Sequence, residues 1–472
     1  MTPTQRNPEE RPVAALLAPD IQSLLEESPA DVAAETEEMH AADLADVAEL
    51  LPEEQVLEFL AALPSARAAD VLEYLDEELR AELLEKMSTR QAAELVTQMT
   101  PDDRADTLEE IDEERAEEIL SEIPAEQRRE TEQLLSFAPD TAGGLMTTEF
   151  VSVPASMTVE QALEGVRAAA RGGRREAMYA VYVTDDAGRL VGVLSLRELL
   201  AAPPGSRMSD QAWTEVVTVG PHADREEVAR VTSNYDLVAV PVVSESGHIM
   251  GVITVDDVID VIQQEQTEDV QKLGGMEALD EPYPTISFGR MIRKRAGWLS
   301  ALFLGEMLTA TAMGYFQREI DQATVLALFV PLIISSGGNS GSQATSLIIR
   351  SLALRELQLS DWWRVALREL PSGLALGGIL GVIGFMRILT WSALGLNDYK
   401  GHPNLVAITV GLSLVGVVTF GSLAGSMLPF LLKRVGFDPA SASAPFVATL
   451  VDVTGLIIYF TIALIILRGT LL

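Results

Sequence analysis

One acid, Asp452, stands alone in the apolar run PFVATLVDVTGLIIYFTIALIIL from Pro445 to Leu467, which is long enough to cross a bilayer. A carboxylate at the bilayer centre costs about 2.5–3.5 kcal/mol even on the gentler insertion scales, so it usually faces a protein interior or a water-filled path. A cation route is the leading reading of Asp452; a carboxylate bonded to a neighbouring helix, or held neutral, is the alternative. Glu306 is a second acid in an earlier apolar stretch, either an accessory group on the same path or a helix-packing hydrogen bond. A soluble concentration of acids follows the same logic. Asp257, Asp260, Glu265, Glu268 and Asp269 crowd DDVIDVIQQEQTEDVQKL at spacings of three and four, where like charges on one helix face repel. A divalent cation would relieve that repulsion; a solvated linker with diffuse counterions is the other reading. The acid-rich turn with Asp102, Asp103 and Asp106 is a cation site only where another surface comes close.

Charge divides the chain near Arg290. Before it lie 20 basic and 61 acidic residues, and from it onward 14 basic and 9 acidic, formal charges of −41 and +5. So acidic a leading part repels nucleic acid and gathers cations, which excludes nucleic-acid binding. There is no cysteine, which removes disulfides, thiolate metal sites and cysteine nucleophiles. His40, His222, His248 and His402 are scattered without ligand spacing. No nucleophile, acid–base pair or metal cluster supports an enzyme. The opening MTPTQRNPEERPV lacks the apolar core of a secretory signal, so the N-terminus is expected in the cytoplasm.

The elements that must position these acids come in three kinds. Leu51, Leu63, Leu75, Met87, Met99, Ile111 and Ile123 recur every twelve residues, each closing an amphipathic stretch, with Ser88, Thr100 and Asp112 placed to cap the next helix. Stacked short helices, a small α-solenoid, are predicted. A second repeat pairs AVYVTDDAGRLVGVLSLRELL from Ala180 with AVPVVSESGHIMGVITVDDVI from Ala239, with Gly192 and Gly251 at equivalent places 59 residues apart, and each copy reads as a strand, a Gly-containing turn, a second strand and a helix. It resembles a tandem pair of CBS motifs, α/β modules that often hold adenosine nucleotides. The resemblance puts Ser195 with Glu198, and Thr254 with Asp257, where ribose and phosphate are touched. Five apolar stretches then follow, near Gly297–Tyr315, Ala323–Ile349, Leu370–Trp391, Leu405–Leu432 and Pro445–Leu467. Arg290, Arg293, Lys294, Arg295, Arg350, Arg355, Arg364, Arg368, Lys433 and Arg434 flank one side, and Arg318, Arg387, Lys400 and Arg468 the other. The positive-inside rule puts the soluble half in the cytoplasm and the C-terminus outside. Within the second stretch, SSGGNSGSQATS from Ser335 is expected to weaken the helix and free backbone carbonyls, which is tolerated only in protein or beside water. No Lys follows its glycines and no strand precedes them, so it is not a phosphate loop.

PLIISSGGNSGSQATSLIIR from Pro331, SMLPFLLKRVGFDPA from Ser426 and PFVATLVDVTGLIIY from Pro445, in this domain order, resemble the MgtE family of magnesium channels. The resemblance runs from about residue 50 to the end. It implies a multidomain membrane protein, following a tail at residues 1–40 that is expected to be disordered: 41–140 an acidic α-helical repeat domain, 141–262 tandem CBS domains, 263–295 an acidic connecting helix and basic membrane-entry segment, and 296–472 a transmembrane pore domain of five helices. It implies a homodimer in the bacterial inner membrane, surrounded by lipid, with Asp452, Ala448 and Asn339 on the ion path. Asp70, Asp102, Asp106, Glu226, Asp236, Asp257, Asp260, Glu265, Glu268 and Asp269 are the implied sensor carboxylates. Mg2+ is then both substrate and regulator, closing the pore when plentiful inside, and ATP or another adenine nucleotide is expected at the CBS pair. A proton- or sodium-coupled carrier, or a receptor without transport, are the competing classes. The chain departs from the family at Ala444, where Asn is common, and at Asp70, where Glu is usual.

Overall fold

The computed structural model describes residues 12–171, 179–279, 283–284, 286–397, 399 and 401–472. Residues 1–11 of the expected tail, 280–282 and 285 of the connecting segment, and Lys400 lie outside the described residues. The chain forms two compact units that part between Gln264 and Glu265.

The first unit departs from expectation at its start. Within the stretch expected to be a disordered tail, Pro12–Glu27 is a helix whose Ala14, Ala18, Ile21 and Leu25 are buried in the helical core. Spacings of four, three and four put these four on one stripe, and burying that stripe offsets the entropy of ordering the segment. Beyond it each twelve residues give one helix: Glu53–Ala62, Ser65–Glu73, Glu77–Lys86, Thr89–Gln98, Pro101–Glu109, Glu113–Glu122 and Ala125–Leu134. Leu51, Leu63, Leu75, Met99, Ile111 and Ile123 sit buried between helices, where each closes the core of its repeat. Of the three expected caps only Ser88 forms one, a capping box with Gln91. Thr100 instead donates to the Asp103 carboxylate at 2.6 Å, and Asp112 makes no side-chain cap bond.

Five strands follow among the described residues: β1 Val151–Pro154, β2 Ala180–Thr184, β3 Leu190–Ser195, β4 Ala239–Val243 and β5 Ile249–Thr254. β1 pairs parallel to β2, β2 antiparallel to β3, and β4 antiparallel to β5. Gly192 faces Val183 and Gly251 faces Val242, so the two halves repeat in register. The glycine is required by close approach: a Cβ at Gly251 would lie 2.6 Å from the Thr147 carbonyl oxygen. Each hairpin leads straight into a helix, Leu196–Ala201 or Val255–Leu273, which fixes Ser195 and Thr254 at a strand-to-helix junction.

Among the described residues the second unit holds five helices long and apolar enough to cross a membrane. We number them as spans one to five: Phe288–Tyr315, Val330–Ala353, Trp362–Ala393, Pro403–Arg434 and Ala444–Leu467. Span four packs on spans two, three and five, while span one packs on span five. Ser335–Ser346 does not break the second span, contrary to expectation. Its glycines serve contact instead: a Cβ at Gly337 would lie 2.5 Å from Val417 Cγ1, and one at Gly421 would collide with the Gly337 carbonyl. The hydroxyls beside them are satisfied within the bundle, Ser340 with Ser422 at 2.7 Å and Thr345 donating to the Gly341 and Gly425 carbonyls at 2.9 Å. Small residues that admit close backbones, with hydroxyls bonded across helices, are the means by which helices pack in lipid.

Candidate functional site

Asp452 lies half-buried on span five, one turn beyond Ala448. Both line a cavity of about 750 Å³ with Thr449, Leu299, Phe303 and Glu306. Among the described residues the Asp452 carboxylate accepts no hydrogen bond, and Glu306 is its charged neighbour. Acids at bilayer depth face a bundle interior or a water-filled cavity, and Asp452 faces such a cavity. Ala448 packs against Gly338 of span two, where a Cβ would stand 3.5 Å from that of Ala448. The next residue, Asn339, is exposed on the single chain. A polar amide exposed midway along an apolar span needs a polar surrounding that hydrocarbon does not give.

The first unit gathers acids on its own. Asp102 and Asp103 of Pro101–Glu109 meet Asp256 and Asp257 at the start of Val255–Leu273, and Asp106 stands one turn along the same helix from Asp102 and Asp103. Burial, then the Asp103 charge, pushes Asp102 up to about 6. Burial and the Asp102 charge push Asp257 up to about 8, against the 2.6 Å hydrogen bond that Thr254 donates to it. Asp106 reaches about 7, by loss of solvent and then by Asp102 and Asp103. Its side chain stays exposed, however, so water screens part of that repulsion. Arg104 is buried below and turns toward Glu130 at 3.8 Å, while Arg80 pairs with Glu110. The Asp102 Oδ1 atom is buried without a hydrogen-bond partner among the described residues. Crowded acids with an orphaned oxygen fit a hard dication, which takes carboxylate oxygens and retains waters. Among the described residues no three acidic or histidine side chains are grouped to ligate a bare metal ion.

These sites lie in segments that match known families. Residues 39–140 match the MgtE intracellular N domain, 142–205 and 211–264 the CBS domain, and 330–462 the family described as divalent cation transporter. The chain is 44% identical over 340 residues to magnesium transporter MgtE of Thermus thermophilus, covering 72% of this chain and 73% of that one. The chain belongs to the MgtE family. It is also 36% identical over 343 residues to the magnesium transporter MgtE of Enterococcus faecalis, covering 72% of each. A solved structure of the cytosolic domain of the Mg2+ channel MgtE in complex with ATP matches with a TM-score of 0.50 and 38% identity, over 52% of this chain and all of that one.

The remaining residues singled out by the MgtE resemblance are scattered more widely. Asp70 is half-buried, Glu226 and Asp260 are exposed, and Asp236 is an exposed helix end in left-handed conformation with φ of 51°. Burial and then Asp256 raise the Asp260 pKa. Glu265, Glu268 and Asp269 are half-buried on the helix Val255–Leu273. Burial, then Asp438 and Glu265, raises Asp269. At the CBS junctions, Ser195 and Glu198 form a capping box, and Trp213 donates to Glu198 at 3.0 Å, so this acid is already engaged. Sequence reasoning missed Asp256, Asp438 and Lys272. Asp256 adjoins a named acid and Asp438 lies inside the motif GFDPA, whereas Lys272, a cation among acids, carried no signal by itself. Ala444, the family departure, presents its carbonyl to the Ser342 hydroxyl at 3.4 Å.

Proposed function

We propose that this MgtE family member is a Mg2+-selective channel that admits magnesium down its electrochemical gradient and closes when cytosolic Mg2+ is plentiful. The observation that carries the proposal is Asp452, unpartnered and facing the cavity it shares with Ala448 and Glu306. Magnesium sheds its octahedral waters reluctantly, so a conduction site does best by touching the hydrated ion through carboxylates and carbonyls. A homodimer would supply two Asp452 side chains, offsetting both charges of the ion. Its axis would also give the exposed Asn339 a wet surrounding.

Gating follows from the acids outside the bilayer. Asp102, Asp106 and Asp257 are crowded enough to repel when ionised, and Asp70, Glu226, Asp236, Asp260, Glu265, Glu268 and Asp269 extend the acidic surface. Mg2+ bridging such groups favours the compact arrangement, because the bridging sites exist only there. The solved relative with ATP supports an adenine nucleotide at the CBS pair, near Ser195, Glu198, Thr254 and Asp257. We place the protein in the bacterial inner membrane with the N-terminus cytoplasmic and the C-terminus outside, on the asymmetry of its basic residues.

Two acids lining one cavity favour a second reading, a proton- or sodium-coupled carrier, in which Glu306 or Asp452 takes the coupling ion. Recording from the reconstituted full chain separates the two. A channel gives single-channel current that falls as cytoplasmic-side Mg2+ rises, and Asp452→Asn lowers that current about tenfold or more; a carrier gives coupled flux without unitary steps. Neutralising Asp257, Asp260, Glu265, Glu268 and Asp269 together should leave current that Mg2+ no longer suppresses. Suppression unchanged in that variant refutes the sensor assignment.

A further inference from the structure

A second cavity in the membrane unit, about 660 Å³, opens between the start of span three and the end of span four. Its floor is apolar, formed by Ala424, Met427, Phe430 and Leu450. Its rim is not: Trp362 and Ser360 stand on one side and Arg434 on the other. Among the described residues neither the Arg434 guanidinium nor the Ser360 hydroxyl has an ion-pair or hydrogen-bond partner. The nearby Asp361 carboxylate is turned back on the Gln358 backbone N–H at 2.8 Å. From Arg434 down to Ala424 is ten helical residues, about 15 Å at 1.5 Å per residue, which matches most of an acyl chain. We propose that this cavity is a binding site for one anionic phospholipid, its chain along Met427 and Leu450 and its phosphodiester on Arg434 and Ser360.

The choice of occupant rests on charge and place. Arginine offers a planar fork that meets phosphate oxygens in pairs, and a free one at the mouth of an apolar groove selects an anion with a hydrocarbon tail. Trp362 begins one span and Arg434 ends the next, so both lie at the same face of the bilayer, where aromatic rings and basic side chains meet headgroups. Arg364 and Lys433 lie within two residues of Trp362 and Arg434 in the sequence. A zwitterionic lipid brings its own cation to its phosphate and gains less. The site stands apart from Asp452 and is independent of the conduction reading.

The test is native mass spectrometry of the full chain equilibrated with equal phosphatidylglycerol and phosphatidylcholine. The parent should retain phosphatidylglycerol preferentially. Arg434→Gln should cut that preference about fivefold, the worth of one basic side chain at an anionic surface, with phosphatidylcholine retention unchanged as the sign of an intact fold. Arg434→Lys should keep it, and Ala424→Trp, which fills the cavity without touching the rim, should shed both lipids. A preference unchanged in Arg434→Gln, or lipid retention unchanged in Ala424→Trp, overturns the proposal. So does efficient crosslinking between two copies of Leu450→Cys in vesicles, which would put a second chain in the cavity; the absence of any native cysteine makes that readout clean.

Discussion

Lys272 Nζ stands 2.7 Å from Asp438 Oδ2, tying the end of the acidic helix Val255–Leu273 to the loop before span five. The same ammonium pairs with Glu268 one turn back, and although burial works against its charge, Asp438 and Glu268 hold its pKa above the usual lysine value. Next to it Leu273 packs with Ile349, Ala440 and Ala442, and Trp298 donates to the hydroxyl of Ser443, which caps span five. These contacts join that helix end to the segment that starts the helix carrying Asp452.

Removing this ammonium takes away the positive charge that stands between Glu268 and Asp438, with Asp269 beside them. Partly exposed pairs contribute about 0.2–1 kcal/mol, so the tie is a bias and not a lock. Lys272→Ala should raise the Mg2+ needed for half-closure by up to about fivefold, with unitary current unchanged, and Lys272→Arg should restore it. Dose–response recording on the cytoplasmic side measures this. An unaltered half-closing concentration would show that Lys272 is a bystander.

The acids of the first unit make the packing of Pro101–Glu109 depend on pH. Asp102 near 6 and Asp257 near 8 lie above the usual carboxylate value of 3.8, so the folded state holds protons that the unfolded chain releases. Stability from these groups is full below about pH 4 and is lost as pH rises toward 8, the reverse of a salt-bridged acid. In chelator, hydrogen exchange of Pro101–Glu109 in the full chain, corrected for the intrinsic rate, should accelerate about tenfold or more from pH 6 to 8, since one pKa unit is one decade. Millimolar Mg2+ should slow it again, and Asp257→Asn should flatten the pH dependence. Exchange that is indifferent to Mg2+ would remove this cluster from the sensor.

What could be read from the residues was what repeats or what spans. The twelve-residue recurrence from Leu51 to Ile123 is a core requirement of each short helix, and it places Asp102 and Asp106 on one of them. Gly192 and Gly251 announce paired strands because each is crossed closely by another chain segment. The Pro12–Glu27 stretch, expected as part of a disordered tail, does carry in its residues the stripe of Ala14, Ala18, Ile21 and Leu25 that the helix buries. SSGGNSGSQATS reads as a helix breaker because intrinsic propensity counts glycine against a helix, while in the bundle the missing side chains let span four approach and the contact holds the helix intact. Lys272 and Asp438 are 166 residues apart, and no local pattern encodes their meeting.

The glycines of spans two and four give a sharp contrast. Gly421 lies against the Gly337 carbonyl, so Gly421→Ala must push two backbones apart; overpacking of this kind costs about 1–3 kcal/mol. Gly378 of span three has nothing within 4 Å of a built Cβ, and Gly378→Ala should be neutral or slightly stabilising. Thermal unfolding in detergent, followed by fluorescence, should separate the two variants. Equal melting would mean that spans two and four are not held this closely.

Glu306 and Asp452 share a cavity but differ in setting, and that difference assigns their roles. Asp452 is half-buried in the bundle beside Ala448, whereas Glu306 is exposed on span one, which packs mainly on span five. A charge-assisted contact is worth about 1.5–3 kcal/mol, so loss of the Asp452 charge should lower ion occupancy and current about tenfold or more. The exposed Glu306 adds a screened, longer-range attraction, and Glu306→Gln should reduce current at low Mg2+ by no more than about threefold, with the deficit vanishing at high salt as screening shortens its reach. Conductance–concentration curves for both variants, at two ionic strengths, provide the comparison. If Glu306→Gln instead abolishes current or makes flux independent of a proton gradient that drives the parent, the two acids form one coupling site and the carrier reading prevails.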